Sequence, residues 1–220
     1  MRAHRALAIV AMLLLASPAS ARAQQADERY LTWSKKQSEQ VGRTWRREGQ
    51  VGNRLRFRGL QTNRSVNFKV RATWLNAETI RASARIEQLR SRLSAQRTQD
   101  LVAEAMAVEG AVFLIELDPR EGSGVIPRDW QALLQAAGGG PDGAVECVDT
   151  PALRDVRALS GTFERDYSYT SFWVVCPLTV DGEAPVFGQA PEAELIVRVL
   201  NQEEVLSWPV PTASLDLVPR

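Results

Sequence analysis

Apolar and polar residues follow three rhythms along this chain, and each predicts a different kind of element. Between positions 54 and 74 the period is two. Leu55 and Phe57 alternate with Arg54, Arg56 and Arg58, and after the turn-rich stretch Gly59 to Ser65, Val66, Phe68, Val70, Ala72 and Trp74 alternate with Asn67, Lys69, Arg71 and Thr73. Successive side chains on a strand point to opposite faces, so the pattern predicts a hairpin with one apolar face and one basic face.

From Asn76 the period lengthens. An asparagine side chain can accept from the orphan amides of a first helical turn, which predicts a helix from 77 to about Arg92. Ala82, Ile86, Leu89 and Leu93 fall on one stripe of it, and Arg81, Arg85, Gln88 and Arg92 on another. Ser94 predicts a second cap, for a helix from about Ala95 to Val108 with Leu101, Val102, Ala105 and Met106 inward and Gly110 past its end. The two form a helical hairpin over about 77–108.

Beyond Gly110 the texture is that of strands. Ala111 to Leu117, Val156 to Phe163, Ser171 to Val180, Glu194 to Leu200 and Val205 to Val210 are short apolar or alternating runs separated by Asp118-Pro119, Asp181-Gly182, Asn201 and prolines. Trp130 to Gln135 fits a short helix or a strand. Upstream, residues 24–50 are polar, with Trp33, Gln37, Val41 and Trp45 spaced four apart, the pattern of a helical amphipathic arm. Helices that are not interleaved with strands predict an α+β, mainly β fold, an antiparallel β-sandwich-like domain with an inserted helical hairpin and an N-terminal helical arm. The expected layout is a signal peptide at 1–23, the arm at 24–50 and a single domain at 51–220.

The leader rests on a basic start (Arg2, Arg5), an apolar run from Ala6 to Ala16 and small residues at Ala21 and Ala23, the order of a cleaved secretory signal. No later stretch approaches the ~20 apolar residues of a membrane span. A periplasmic or secreted protein without a transmembrane anchor is therefore expected. Cleavage would remove His4, the only histidine of the 220 residues. Cys147 and Cys176 are the whole thiol inventory, and an oxidising compartment predicts that they pair, the alternative being a Cys176 buried as a small hydrophobe.

Without an imidazole, Ser-His-Asp, Cys-His and histidine-zinc chemistry drop out. Lys35, Lys36 and Lys69 are the only lysines, and none follows a serine by three positions as Ser-Lys catalysis asks. Ser123 lacks the glycine two residues before it that a nucleophile elbow requires. Glycines 138, 139, 140 and 143 lead to no Lys-Ser/Thr pair, so they read as a connector and not as a phosphate loop. No cofactor and no metal site is expected. Carboxylates remain: Glu116 and Asp118 would share one face of a strand, with Glu121 just beyond, and two such groups suffice for glycoside hydrolysis. The same Asp-Pro-Arg-Glu-Gly-Ser-Gly run is also an ordinary loop.

Charge changes the picture most. From Gln24 to Gln99 there are 17 basic and 6 acidic residues, net +11, and from Asp100 to Arg220 there are 7 and 20, net −13. Either the halves neutralise each other in the fold, or cationic faces stay open to an anion. Arginine, with a planar fork suited to carboxylate and phosphate, supplies 21 of the 24 cations after position 23. The expected ligand-binding residues are Arg54, Arg56, Arg58, Lys69 and Arg71 on the hairpin and Arg81, Arg85 and Arg92 on the helix. The sequence thus predicts a non-enzymatic binding or interaction module for an anionic glycan, lipid headgroup or acidic protein. The alternative is a histidine-free, glycosidase-like hydrolase. Nucleic acid is not expected, given export and an acidic second half.

Overall fold

Three short polar side chains set where the helices begin. A computed structural model describes residues 28–52, 66–119, 130–150, 170–199 and 202–211. After a 3-10 turn at Arg29–Thr32, helix α1 (Lys35–Thr44) starts at a capping box: Ser34 Oγ accepts from the Gln37 amide, and Gln37 Oε1 accepts from the Ser34 amide at 2.8 Å. Helix α2 (Ala77–Ser91) starts where Asn76 Oδ1 accepts from the Thr79 amide at 3.0 Å. Helix α3 (Ala95–Met106) starts where Ser94 Oγ accepts from the Arg97 amide at 3.1 Å. The expected helical hairpin is thus present, with Arg92 in the left-handed conformation (φ 54°) making its turn.

The expected stripe on α2 is too narrow. Thr79, Ile80, Ala82, Ser83, Ala84, Ile86 and Glu87 are all buried, because α2 packs against both α1 and α3. Leu89 lies outside that packing and is 42% exposed, and Met106 on α3 points outward at 45%.

All strand pairs among the described residues are antiparallel. One sheet has the order β1 (Arg46–Gly52), β2 (Val66–Trp74), β3 (Ala111–Pro119), β7 (Thr170–Cys176), β6 (Val148–Asp149). A second has the order β11 (Gln202–Pro209), β10 (Glu192–Val199), β4 (Trp130–Ala136), β5 (Val145–Glu146), and β8 (Thr179–Val180) pairs with β9 (Ala184–Pro185). The ambiguous segment at 130 is a strand, and Pro177 splits the expected run Ser171 to Val180 in two. Residues 1–23, Arg54, Arg56, Arg58, Glu121 and the expected strand Val156 to Phe163 lie outside the described residues.

The partner of β2 differs from expectation. Arg46–Gly52 pairs with it, from Arg46 opposite Thr73 to Gln50 opposite Lys69. The segment 24–50 therefore holds a helix as expected, but its last five residues are already in the sheet. Tyr30, buried, and Trp33, half-buried, pack against α2, α3 and the sheet.

Alternation along β2, β3 and β7 divides the interior. Val70, Ala72, Trp74, Phe113, Ile115, Phe172 and Val174 join one apolar cluster with Leu134, Leu195, Val197 and Trp208 of the other sheet. The opposite parity of β3 and β7, Val112, Leu114 and Trp173, joins a second cluster with Ile80, Ala84, Leu101 and Val102 of the helices. Strand β3 is thus apolar on both faces as far as Ile115, which is why Ala111 to Ile115 reads as an unbroken hydrophobic run before Glu116. The Cys147–Cys176 disulfide is formed and buried in the first cluster.

Candidate binding site

One end of the helical layer opens into a cavity of about 640 Å³. Its walls come from segments far apart in the chain: Asn76, Glu78, Ile80 and Arg81 of the first turns of α2; Ala105, Met106 and Val108 around the end of α3; Trp74, Leu75, Ala111 and Val112 of the sheet; and Trp45, Leu178 and Pro209 to Pro211. Backbone bonds hold this junction, with the Trp74 amide donating to the Trp45 carbonyl at 3.2 Å and the Leu75 amide to that of Val112 at 2.8 Å. Gly110 also lines it, at φ 114°, where a Cβ would stand 2.7 Å from the Cys176 carbonyl oxygen. The lining is mostly hydrocarbon and indole. Among the described residues its charged groups are Glu78 and Arg81, of opposite sign, and the Glu78 carboxylate accepts from the Trp45 indole N–H at 3.1 Å.

The chain matches no protein-family model, no curated protein and no solved structure.

Of the expected cations, Arg54, Arg56 and Arg58 lie outside the described residues, and the other five are divided between β2 and α2 with its C-terminal turn. Arg71 and Lys69 stand on the sheet face turned toward the helices, where the register makes a row of alternating charge, Glu48 opposite Arg71 opposite Glu116. Arg71 Nε lies 3.0 Å from Glu48, and Arg46 Nη2 lies 3.3 Å from Glu116, whose side chain is 4% exposed. Here the basic early part of the chain does meet an acid from the later part. Lys69 is exposed and sits opposite Asp118 in the ladder. Arg85 is half-buried and donates to the Trp33 carbonyl at 2.8 Å and to Gln88 at 2.6 Å, so it anchors the start of α1. Arg81 lines the cavity, and Arg92 is exposed at the end of α2.

Of the expected carboxylates, Glu121 lies outside the described residues. Glu116 is taken up by Arg46, Asp118 is half-exposed one pleat away, and neither lines the cavity. Sequence reasoning missed the cavity altogether. The one signal available was the pair Trp45 and Trp74, each next to a helix boundary, together with the Pro209-Val210-Pro211 run that ends the last strand.

Proposed function

We propose that this protein is an exported, non-enzymatic binding module whose ligand is an uncharged, largely apolar small molecule held between α2, α3 and the ends of the sheet. The cavity is the observation that carries this reading. Its 640 Å³ fall within the ~300–1,000 Å³ of small-molecule sites. A neutral ligand gains from leaving water against Trp45, Ile80, Met106 and Val108, and it does not disturb the Glu78 carboxylate already hydrogen-bonded to Trp45. Among the described residues the lining is mainly apolar, with Glu78 as its one carboxylate, already hydrogen-bonded to Trp45, which supports binding of an apolar molecule.

Export is supported by the leader-like residues 1–23 and by the disulfide, which persists in oxidising compartments. No helix among the described residues is long and apolar enough to cross a membrane. The same reading takes the two large sheets as the layers of a β-sandwich. The apolar cluster they share supports this, as does the stacking of Trp130 of β4 on Phe172 of β7 at 4.0 Å between ring centres.

The test is titration with the uncharged dye Nile red. Saturable binding is expected, weakened about tenfold or more by Met106→Trp, which fills the rim, and unchanged by Val148→Ala, which removes an exposed apolar side chain elsewhere. Absence of saturable binding, or equal weakening by both variants, would reject the cavity as the site.

A further inference from the structure

The end of the helical layer remote from the cavity has a different chemistry. Helix α1 begins beside Arg85 and ends beside Glu78, so it runs antiparallel to α2. Helix α3 begins three residues after α2 turns at Arg92. The 3-10 turn ahead of α1 packs on α2, and its Tyr30 shares an apolar cluster with Leu93 of the α2–α3 turn and Leu101 of α3, so the chain entering α1 lies toward the end of α2 and the start of α3; neither α1 nor α3 carries an acid in its first turn to offset the positive pole of its dipole.

Cations gather there from separate elements. Lys35 pairs with Glu39, Arg90 with Glu87, and Arg97 with Asp100 at 3.9 Å. Arg29, Lys36 and Arg92 are exposed and have no ion pair among the described residues. Among the described residues there, seven cations (these six and Arg85) stand against four acids (Glu28, Glu39, Glu87 and Asp100), and Glu87 is buried beneath Arg90 and Ser91.

We infer that this end docks a polyanionic glycan, carboxylated or sulfated, with Arg29, Lys36 and Arg92 as its principal contacts. Three cations on three elements suit an extended chain of anionic groups better than a single ion. Arginine forks match carboxylate and sulfate oxygens bidentately. A bilayer is disfavoured, because surface binding by a helix relies on apolar and aromatic groups entering the lipid. At this end Tyr30 is buried, Trp33 packs inward, and Leu89 is the one large hydrophobe exposed among the described residues.

Heparin and polygalacturonate chromatography of the full chain tests this. The wild type should be retained, with affinity falling steeply as salt rises. The triple variant Arg29→Ala/Lys36→Ala/Arg92→Asn removes no ion pair between described residues and keeps a side chain that tolerates the left-handed turn. It should elute at clearly lower salt, with affinity down about tenfold or more and an unchanged unfolding midpoint. The double variant Arg43→Ala/Lys69→Ala, which removes two exposed cations elsewhere, should elute close to wild type. Retention of the triple variant at the wild-type position, or an equal loss in the double variant, would overturn the assignment. Tighter binding to phosphatidylglycerol vesicles or to DNA than to either glycan would overturn the partner class. Nile red binding should be unaffected by the triple variant, so this result and that of the cavity are independent.

Discussion

The two large sheets meet along two opposite margins, and the margins are held in different ways. At one, the chain leaves β5, passes through the single residue Cys147 and enters β6 of the other sheet. The Cys147 amide donates to the Ala132 carbonyl at 2.9 Å, and its sulfur is bonded to Cys176 at the end of β7. Connectivity and a covalent link close this side. At the other margin β1 and β11 lie side by side without a backbone ladder between them. Arg47 Nε donates to the Ser207 carbonyl at 2.9 Å, with its guanidinium over the Trp208 ring, and Trp208 Nε1 donates to the Trp45 carbonyl at 2.7 Å. A Cβ on Gly49 would stand 2.5 Å from Glu204 Cγ, so a glycine lets the strands approach. A disulfide acts largely by restricting the unfolded chain, whereas this second margin depends wholly on native contacts.

That contrast orders the mutational effects. Trp208→Ala should cost the most, about 4 kcal/mol, since a nearly fully buried indole packed on Trp74 and Phe113 is lost together with its hydrogen bond. Urea unfolding measures it, and a midpoint within error of wild type would show the β1–β11 side to be dispensable. Removing the disulfide by Cys147→Ser/Cys176→Ser should cost about 3 kcal/mol, given a separation of 29 residues. Dithiothreitol should then lower the wild-type midpoint and leave the variant's unchanged. Because the margins are far apart, the two losses should add to within about 0.5 kcal/mol, and strong coupling would mean that they form one unit. Gly49→Ala should cost the least, about 1–2 kcal/mol of overpacking, and Glu204→Ala in that background should recover much of it. An alanine tolerated without Glu204→Ala would show that the approach of the strands is not constrained there.

Much of this architecture is legible in the residues, but unevenly. Asn76 and Ser94 announce their helices because capping is a local event decided within four residues. Strands β2, β3, β7, β10 and β11 follow from alternation or from short apolar runs. Strand β1 escapes such reading. Arg46-Arg47-Glu48-Gly49-Gln50 has no apolar side to betray it, since one face joins the ionic row with Arg71 and Glu116 and the other carries Arg47 and Gly49 to the margin with β11. Polar composition there signals a strand whose partners are charged and glycine-accommodating, not an arm. The cavity is invisible for a different reason: it joins positions from 45 to 211, and no local pattern encodes such a meeting. The arginine excess was plain, yet its distribution was not. Arg46, Arg71 and Arg85 serve the interior, while Arg29 and Arg92 reach the outer end of the helices.

The way β1 and β11 shield each other has a bearing on behaviour at high concentration. A bare strand margin invites pairing with another molecule, the first step of ordered aggregation. Here the Arg47 guanidinium lies across the one strand and onto the backbone of the other, so an incoming chain would have to displace a charged group before it found a template. The protein carries its own protection against self-association at the margin where its sheets are joined by side chains and not by a covalent link.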